Sequence, residues 1–230
     1  MSPQNLPAVL RDVRARIAQA AAAAGRNAQS VTLLAVGKGQ PGELLAAAAD
    51  CGVTDFGESY LQEALSKAAA LQERALIWHF VGRIQANKTR PIAQTFAWVH
   101  ALDRPKLAER LAAQRPFHAP PLNVCLQVNL AAEASKGGVA PGELPALAAA
   151  VARQPRLTLR GLMCIPPEET EPARQRAWFA RLRALRDELN AAGHRLDTLS
   201  MGMSGDFESA ILEGATIIRL GTVLFGARPP

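Results

Sequence analysis

The chain has 230 residues, of which 49% are hydrophobic and 20% charged, at a mean hydropathy of +0.01. That balance excludes a disordered chain, and no apolar run approaches the ~20 residues of a membrane-spanning helix. The net charge is +6, but the arginines are scattered among acids, as in RLRALRDEL at 181–189, and aromatics are only 5%. A nucleic-acid protein concentrates its charge in a stripe with interleaved aromatics, so no such partner is expected. Cys51, Cys125 and Cys164 stand apart in apolar stretches, as small buried hydrophobes of a reducing compartment do. The opening MSPQNLPAVLRDVRARIAQA has no apolar leader, which predicts a cytoplasmic protein.

In chain order, a leading helix is predicted over 4–25, placed to plug or flank the bottom of whatever follows. Eight β-rich runs come next: 31–37, 53–58, 76–82, 97–103, 122–130, 157–165, 197–203 and 216–221. Helical patterns at 42–52, 58–75, 104–114, 141–154 and 171–193 lie between them, with Gly52 and Gly193 where helix C-caps belong. Near-continuous apolar strands alternating with helices predict parallel strands buried on both faces. Eight repeats in one α/β domain over 1–230 predict a single (β/α)8 TIM barrel with an extra N-terminal helix. A doubly wound sheet is the alternative, but AVGKGQPGE at 35–43 lacks GxGxxG spacing.

In a barrel the C-terminal ends of the strands carry the chemistry. Lys38 follows the first strand in a chain where only five of 26 basic residues are lysines. Arginine cannot serve as an amine nucleophile, whereas a desolvated lysine can, so Lys38 is a Schiff-base candidate; otherwise it snorkels from a loop. SMGMSGDFESAI (200–211) runs from strand seven into a helix, with Ser204 expected as its N-cap, and Gly221 and Thr222 follow strand eight. Barrels hold phosphates between those two loops, although a capping serine and a turn glycine also occur without a ligand. A lysine on strand one and a phosphate cup at strands seven and eight suggest pyridoxal 5′-phosphate. His79 and His100 are possible bases, with packed, hydrogen-bonded histidines the alternative. Glu168, Glu169 and Glu171 read as a solvated acidic loop, and no ligand spacing suggests a metal.

The chain resembles the pyridoxal-phosphate homeostasis protein family, single-barrel relatives of the cofactor domain of alanine racemase. The resemblance runs through LLAVGK (33–38), FGESYLQEA (56–64), WHFVGRIQANK (78–88), NVCLQVN (123–129) and ASKGG (134–138). It continues in LRGLMCIPP (159–167), LSMGMSGDFESAI (199–211) and RLGTVLFGAR (219–228). It implies a fold-type III pyridoxal-phosphate barrel in which Lys38 forms the Schiff base and Ser204, Gly221 and Thr222 hold the phosphate. It further implies Ser200 and Met201 beside the cofactor, Arg219 facing the pyridine nitrogen and Asn129 near the ring. His79 and Lys88 would belong to the strand-three wall. Where the family usually reads VSKTKP, this chain has VGKGQP at 36–41, predicting a looser loop; where it reads FGENY, Ser59 replaces the amide near the cofactor.

A permanent cation at the ring nitrogen disfavours its protonation, leaving a poorer electron sink for α-carbanions. The related racemases compensate with two bases, one a tyrosine from a second domain; the single tyrosine of this chain, Tyr60, is expected to be a half-buried aromatic. The resulting expectation is intracellular pyridoxal-phosphate homeostasis: cofactor held on Lys38 and released or transferred to pyridoxal-phosphate-dependent apoenzymes, without dedicated catalysis. The protein is expected to be a monomer, with Lys136 a possible second amine at the mouth. The alternatives are a small racemase-like enzyme and a Schiff-base phosphosugar aldolase with Glu58 or Asp103 as acid–base group.

Overall fold

The structure, a computed structural model, describes residues 5–133 and 136–227. Ala134 and Ser135 of the 134–138 stretch, Arg228 of the C-terminal motif and the first residue of the predicted 4–25 helix lie outside the described residues.

Eight parallel strands close into a barrel in chain order. They are β1 (Thr32–Val36), β2 (Asp55–Glu58), β3 (Ile77–Phe80), β4 (Trp98–Leu102), β5 (Leu122–Gln127), β6 (Leu157–Met163), β7 (Thr198–Ser200) and β8 (Ile217–Leu220). Closure is made by β8 pairing with β1, Arg219 opposite Leu34 and Leu220 opposite Ala35. The strands are shorter than their predicted runs, and in all but β2 the last residues of the run leave the ladder at the C-terminal end of the barrel. The helices are α1 (Leu6–Ala23), α2 (Gly42–Asp50), α3 (Leu61–Ala70), α4 (Thr89–Thr95), α5 (Pro105–Gln114), α6 (Leu144–Ala152), α7 (Pro172–Ala191), α8 (Phe207–Leu212) and α9 (Thr222–Phe225). Gly52 and Gly193 follow α2 and α7 at φ of 79° and 99°, the left-handed region where only glycine escapes the Cβ clash.

Helix α1 flanks the barrel: it packs on α8, α9 and α2, burying Leu6, Leu10, Val13 and Ile17. The 89–95 stretch, without a predicted element, is helical. Pro91 there reads as a breaker but falls in the first turn of α4, where an N–H would lack an intrahelical partner anyway. The main core lies between strands and helices, with Phe56, Ile92, Leu111, Phe179, Phe207 and Ile218 fully buried or nearly so. Inside the barrel Ala101, Cys125 and Met163 cluster against Trp98, the buried Leu34 and Val36 face Gly57, and polar side chains take part of the remaining space. Cys125 and Cys164 are buried free thiols, held by desolvation up to about 12, whereas Cys51 is partly exposed.

The turn after β1 is tied down. Gln40 N–H bonds Gly37 O at 2.9 Å, and Gly39 has φ 70°, the third turn position where glycine costs least. The Lys67 ammonium of α3 donates to Gly37 O at 2.7 Å and to Glu58 Oε1 at 2.8 Å, and also to Glu63. Glu63 Oε1 in turn accepts from Gly39 N–H at 2.7 Å. A Cβ on Gly37 would meet Glu58 Oε1 at 2.7 Å, so glycine at 37 leaves room for the buried carboxyl. The looser loop expected from VGKGQP is thus corrected: side chains from α3 anchor its backbone on both sides of Lys38.

Two outcomes follow from this packing. A Cβ on Gly161 would lie 1.8 Å from Thr198 O across the β6–β7 pair. Gly161→Ala is expected to lower Tm by about 4 °C or more, for an overpacking cost of about 2 kcal/mol in a chain of this size. Glu58 is fully buried with Oε2 unpartnered. Desolvation, only partly offset by Lys67, raises its carboxyl to about 7. The folded state therefore binds a proton that the unfolded chain has already lost, and the stability this contributes fades as pH rises through that value. Thermal melts of Glu58→Gln against the parent should show the variant gaining relative stability between about pH 5 and 8.

Candidate functional site

The C-terminal ends of β1 and β8 and the loops after β6 and β7 surround a cavity of about 470 Å³. Lys38, Ser59, Ser204, Arg219, Gly221 and Thr222 line it, six residues predicted from sequence and scattered over more than 180 positions of the chain. Lys38 lies two residues past the last residue of β1, half-buried, on the anchored turn. Gly221 connects β8 to α9; a Cβ there would press on Val36 O at 3.3 Å, so the glycine leaves backbone reachable from the cavity.

Ser204 acts differently from the expected N-cap. Helix α8 begins three residues later, its N-cap is Asp206, and Asp206 Oδ1 accepts from Met203 N–H at 2.6 Å. Ser204 Oγ instead accepts from Val223 N–H at 3.2 Å, joining the loop after β7 to α9. The hydroxyl hydrogen is then available toward the cavity. Burial keeps the Asp206 carboxyl raised.

Arg219 is buried, its guanidinium donating to Ser200 Oγ at 2.9 Å and Cys164 O at 2.8 Å. Desolvation lowers its pKa from the ordinary arginine value. Ser200 lies beneath Arg219, away from the cavity lining. Met201, expected beside the cofactor, packs instead into the outer core, because successive strand residues point to opposite faces. Asn129 is also displaced from expectation. Its side chain donates to Glu133 O at 2.9 Å and accepts from Glu133 N–H at 3.2 Å, organising the loop after β5. Lys136 sits at the neighbouring part of the mouth, its ammonium on Glu133 Oε1 at 2.8 Å and Pro166 O at 3.0 Å.

Tyr60 is 57% exposed rather than half-buried: as the residue before α3, its ring stands off the helix beside Arg83 and Lys88. His79 and His100 are packed histidines within the barrel, hydrogen-bonded to one another at 3.0 Å. Glu168, read as a solvated loop acid, is exposed and lines the cavity with Ile165 and Met203. These three were not among the predicted site residues. They lie past the ends of β6 and β7, on loops that fold back over the mouth, and only the strand-end rule carried further along each loop finds them. The cavity thus assembles one amine, three hydroxyls, a guanidinium and one carboxylate.

The alanine racemase N-terminal domain model matches residues 10–229. The chain is 60% identical over 216 residues to the pyridoxal phosphate homeostasis protein of Pseudomonas aeruginosa, covering 94% of this chain and 93% of that one. It is 46% identical to the Escherichia coli K12 protein of the same name, over 95% of each. Among solved structures, PipY of Synechococcus elongatus with pyridoxal phosphate bound superposes with a TM-score of 0.80 at 39% identity, covering 86% of this chain and 93% of PipY. An alanine racemase of Clostridium difficile shares the fold at a TM-score of 0.73 and 13% identity, over 99% of this chain and 58% of its own. The chain belongs to the pyridoxal phosphate homeostasis proteins, a family within the alanine racemase N-terminal domain group.

Proposed function

We propose that this chain binds pyridoxal phosphate reversibly at the β1–β8 cavity and passes it to apoenzymes that need it. The observation that carries the reading is the convergence of Lys38, Ser204, Gly221, Thr222 and Arg219 on that one cavity. The donor set fits the group. When bound, pyridoxal phosphate supplies an aldehyde that condenses reversibly with an amine, losing water. Lys38 offers that amine, and the Ser204 and Thr222 hydroxyls and the backbone at Gly221 would hold phosphate oxygens. Arg219 would face the pyridine nitrogen as a donor; its fixed charge opposes protonation there and so weakens electron withdrawal from a substrate carbon. The names of the family's members and the solved PipY complex support the same ligand.

The carrier reading is favoured over the racemase-like one by where the candidate bases sit. His79 and His100 are buried below the cavity, and Tyr60 points outside it. Of the acid–base groups expected for the aldolase alternative, Glu58 is engaged by Lys67 and Asp103 accepts from Arg104 at 2.9 Å, while the one carboxylate lining the cavity is the exposed Glu168.

The first test is the visible absorption spectrum of purified protein before and after adding pyridoxal phosphate. A yellow band is expected in the parent and absent in Lys38→Ala, and borohydride reduction should fix the cofactor's mass to the peptide holding Lys38. Protein that stays colourless with added cofactor would overturn the reading and favour the aldolase. Ser204→Ala and Thr222→Val should each weaken retention by about tenfold or more, as expected for losing one hydrogen bond to a charged group.

A further inference from the structure

Below the cavity the barrel interior holds one unbroken polar chain. The Arg219 guanidinium meets Ser200 Oγ at 2.9 Å, and Ser200 Oγ meets His100 Nδ1 at 2.7 Å. His100 Nε2 meets His79 Nδ1 at 3.0 Å, and His79 Nε2 meets Asp55 Oδ1 at 3.0 Å. Asp55 opens β2 at the far end of the barrel, where it lines a separate cavity with Thr54 and Arg14. Both interior histidines are buried, and His79 stacks on Trp98 with ring planes 4° apart. Arg160, over the Trp98 ring at 4.9 Å, is paired with Asp197 at 2.8 Å.

The two ends set the direction of every proton between them. Arginine only donates and an ionised carboxylate only accepts. Asp55 therefore takes the His79 Nε2–H, which leaves His79 Nδ1 an acceptor for His100 Nε2–H. His100 Nδ1 then accepts the Ser200 hydroxyl proton, and Ser200 Oγ accepts from Arg219. Each proton on the path has an acceptor in this arrangement. In the reverse arrangement, His79 Nε2 would lack a proton for the carboxylate, and Ser200 Oγ would receive two donors while its own hydrogen had no described partner. Burial lowers the pKa of both imidazoles, His100 most strongly, and Asp55 is held below the usual carboxylate range by its bonds to His79 and Thr54, against its own desolvation.

We propose that Asp55, His79 and His100 are positioning residues which, through Ser200, aim Arg219 at the cavity, with both imidazoles fixed as neutral Nε2–H tautomers. This deepens the proposed function only in its final step, the presentation of Arg219 to the cofactor's ring nitrogen. Asp55 would do this without touching the ligand, from the opposite end of the barrel.

Two measurements separate the relay from the ligand reading. Long-range 15N–1H spectra of full-length protein, stripped of cofactor with hydroxylamine and assigned with single His→Gln variants, report each tautomer directly. Nε2–H at both His79 and His100, unchanged between about pH 5.5 and 8, is expected; an Nδ1–H tautomer, or titration near the ordinary histidine value, overturns the relay. The second measurement compares Asp55→Ala with Asp55→Asn, whose amide oxygen can still accept from His79. Asp55→Ala should mix the tautomers, shift the visible band of the loaded protein and speed cofactor loss by about tenfold. Asp55→Asn should recover most of both effects. Equal behaviour of the two variants in band and retention, with the tautomers as expected, would reduce the chain to internal packing and overturn the positioning role. A parent protein that takes up no cofactor would overturn the function reading and with it the final step, while the tautomers still decide the relay.

Discussion

A buried guanidinium at the top of the barrel constrains what lies around it. Removing Arg219 from water costs several kcal/mol unless its N–H groups find acceptors and its charge finds a counter-field. Cys164 O and Ser200 Oγ supply the acceptors at short range. Among the described residues no carboxylate forms an ion pair with Arg219, although Asp206 acts on it electrostatically. The nearest acid along its hydrogen-bond path is Asp55, reached through three intermediates. Barrel interiors are commonly filled by layers of Val, Ile and Leu. Here the apolar fill, a cluster beside Trp98 together with Leu34 and Val36, leaves part of the interior to that path. Buried polar chains stabilise only when fully satisfied, which makes the Ser, His, His and Asp types interdependent.

Much of the architecture was legible because strand and helix signals agreed with one another. The runs around TLLAV and LNVCLQ are apolar, bounded by glycine, proline or charge, and spaced by helical patterns, so parallel strands buried on both faces followed from periodicity alone. Helix α4 was not legible, since Pro91 looks the same at a helix start as in a breaker until the chain on either side is placed. The site separates in the same way. Lys38, Arg219, Gly221 and Thr222 lie at or next to strand ends, where position in the barrel dictates direction. Ser204 and Asn129 lie in loops, where direction depends on contacts made by distant segments, and both turned to partners that no local pattern announces.

The interior relay shows a third case, visible to sequence only in retrospect. Asp55, His79 and His100 are 21 to 24 residues apart on neighbouring strands. Their meeting depends on the β2–β3 register, Gly57 opposite His79, and on the β3–β4 register, His79 opposite Trp98. Once register is fixed, period-two alternation puts Trp98 and His100 on one face of β4. A one-residue slip would send either histidine into the helical layer. Strand register, not any motif, therefore selects the partners.

The turn carrying Lys38 illustrates how a chain can exchange local side chains for distant ones. VGKGQP lacks the hydroxyls and second cation of the usual family pattern, and two glycines raise the entropy that must be lost on folding. The compensation comes from α3. Lys67 reaches the carbonyl on one side of Lys38, and Glu63 takes the amide on the other. The same ammonium is the hydrogen-bond partner of Glu58, whose carboxyl occupies the space that a side chain at 37 would need. Loop glycine and buried acid are thus complementary parts of one packing solution. In this arrangement the order of the turn is set by charges outside the cavity. In the proposed function the amine of Lys38 would exchange partners at the mouth while the backbone that presents it is held from behind.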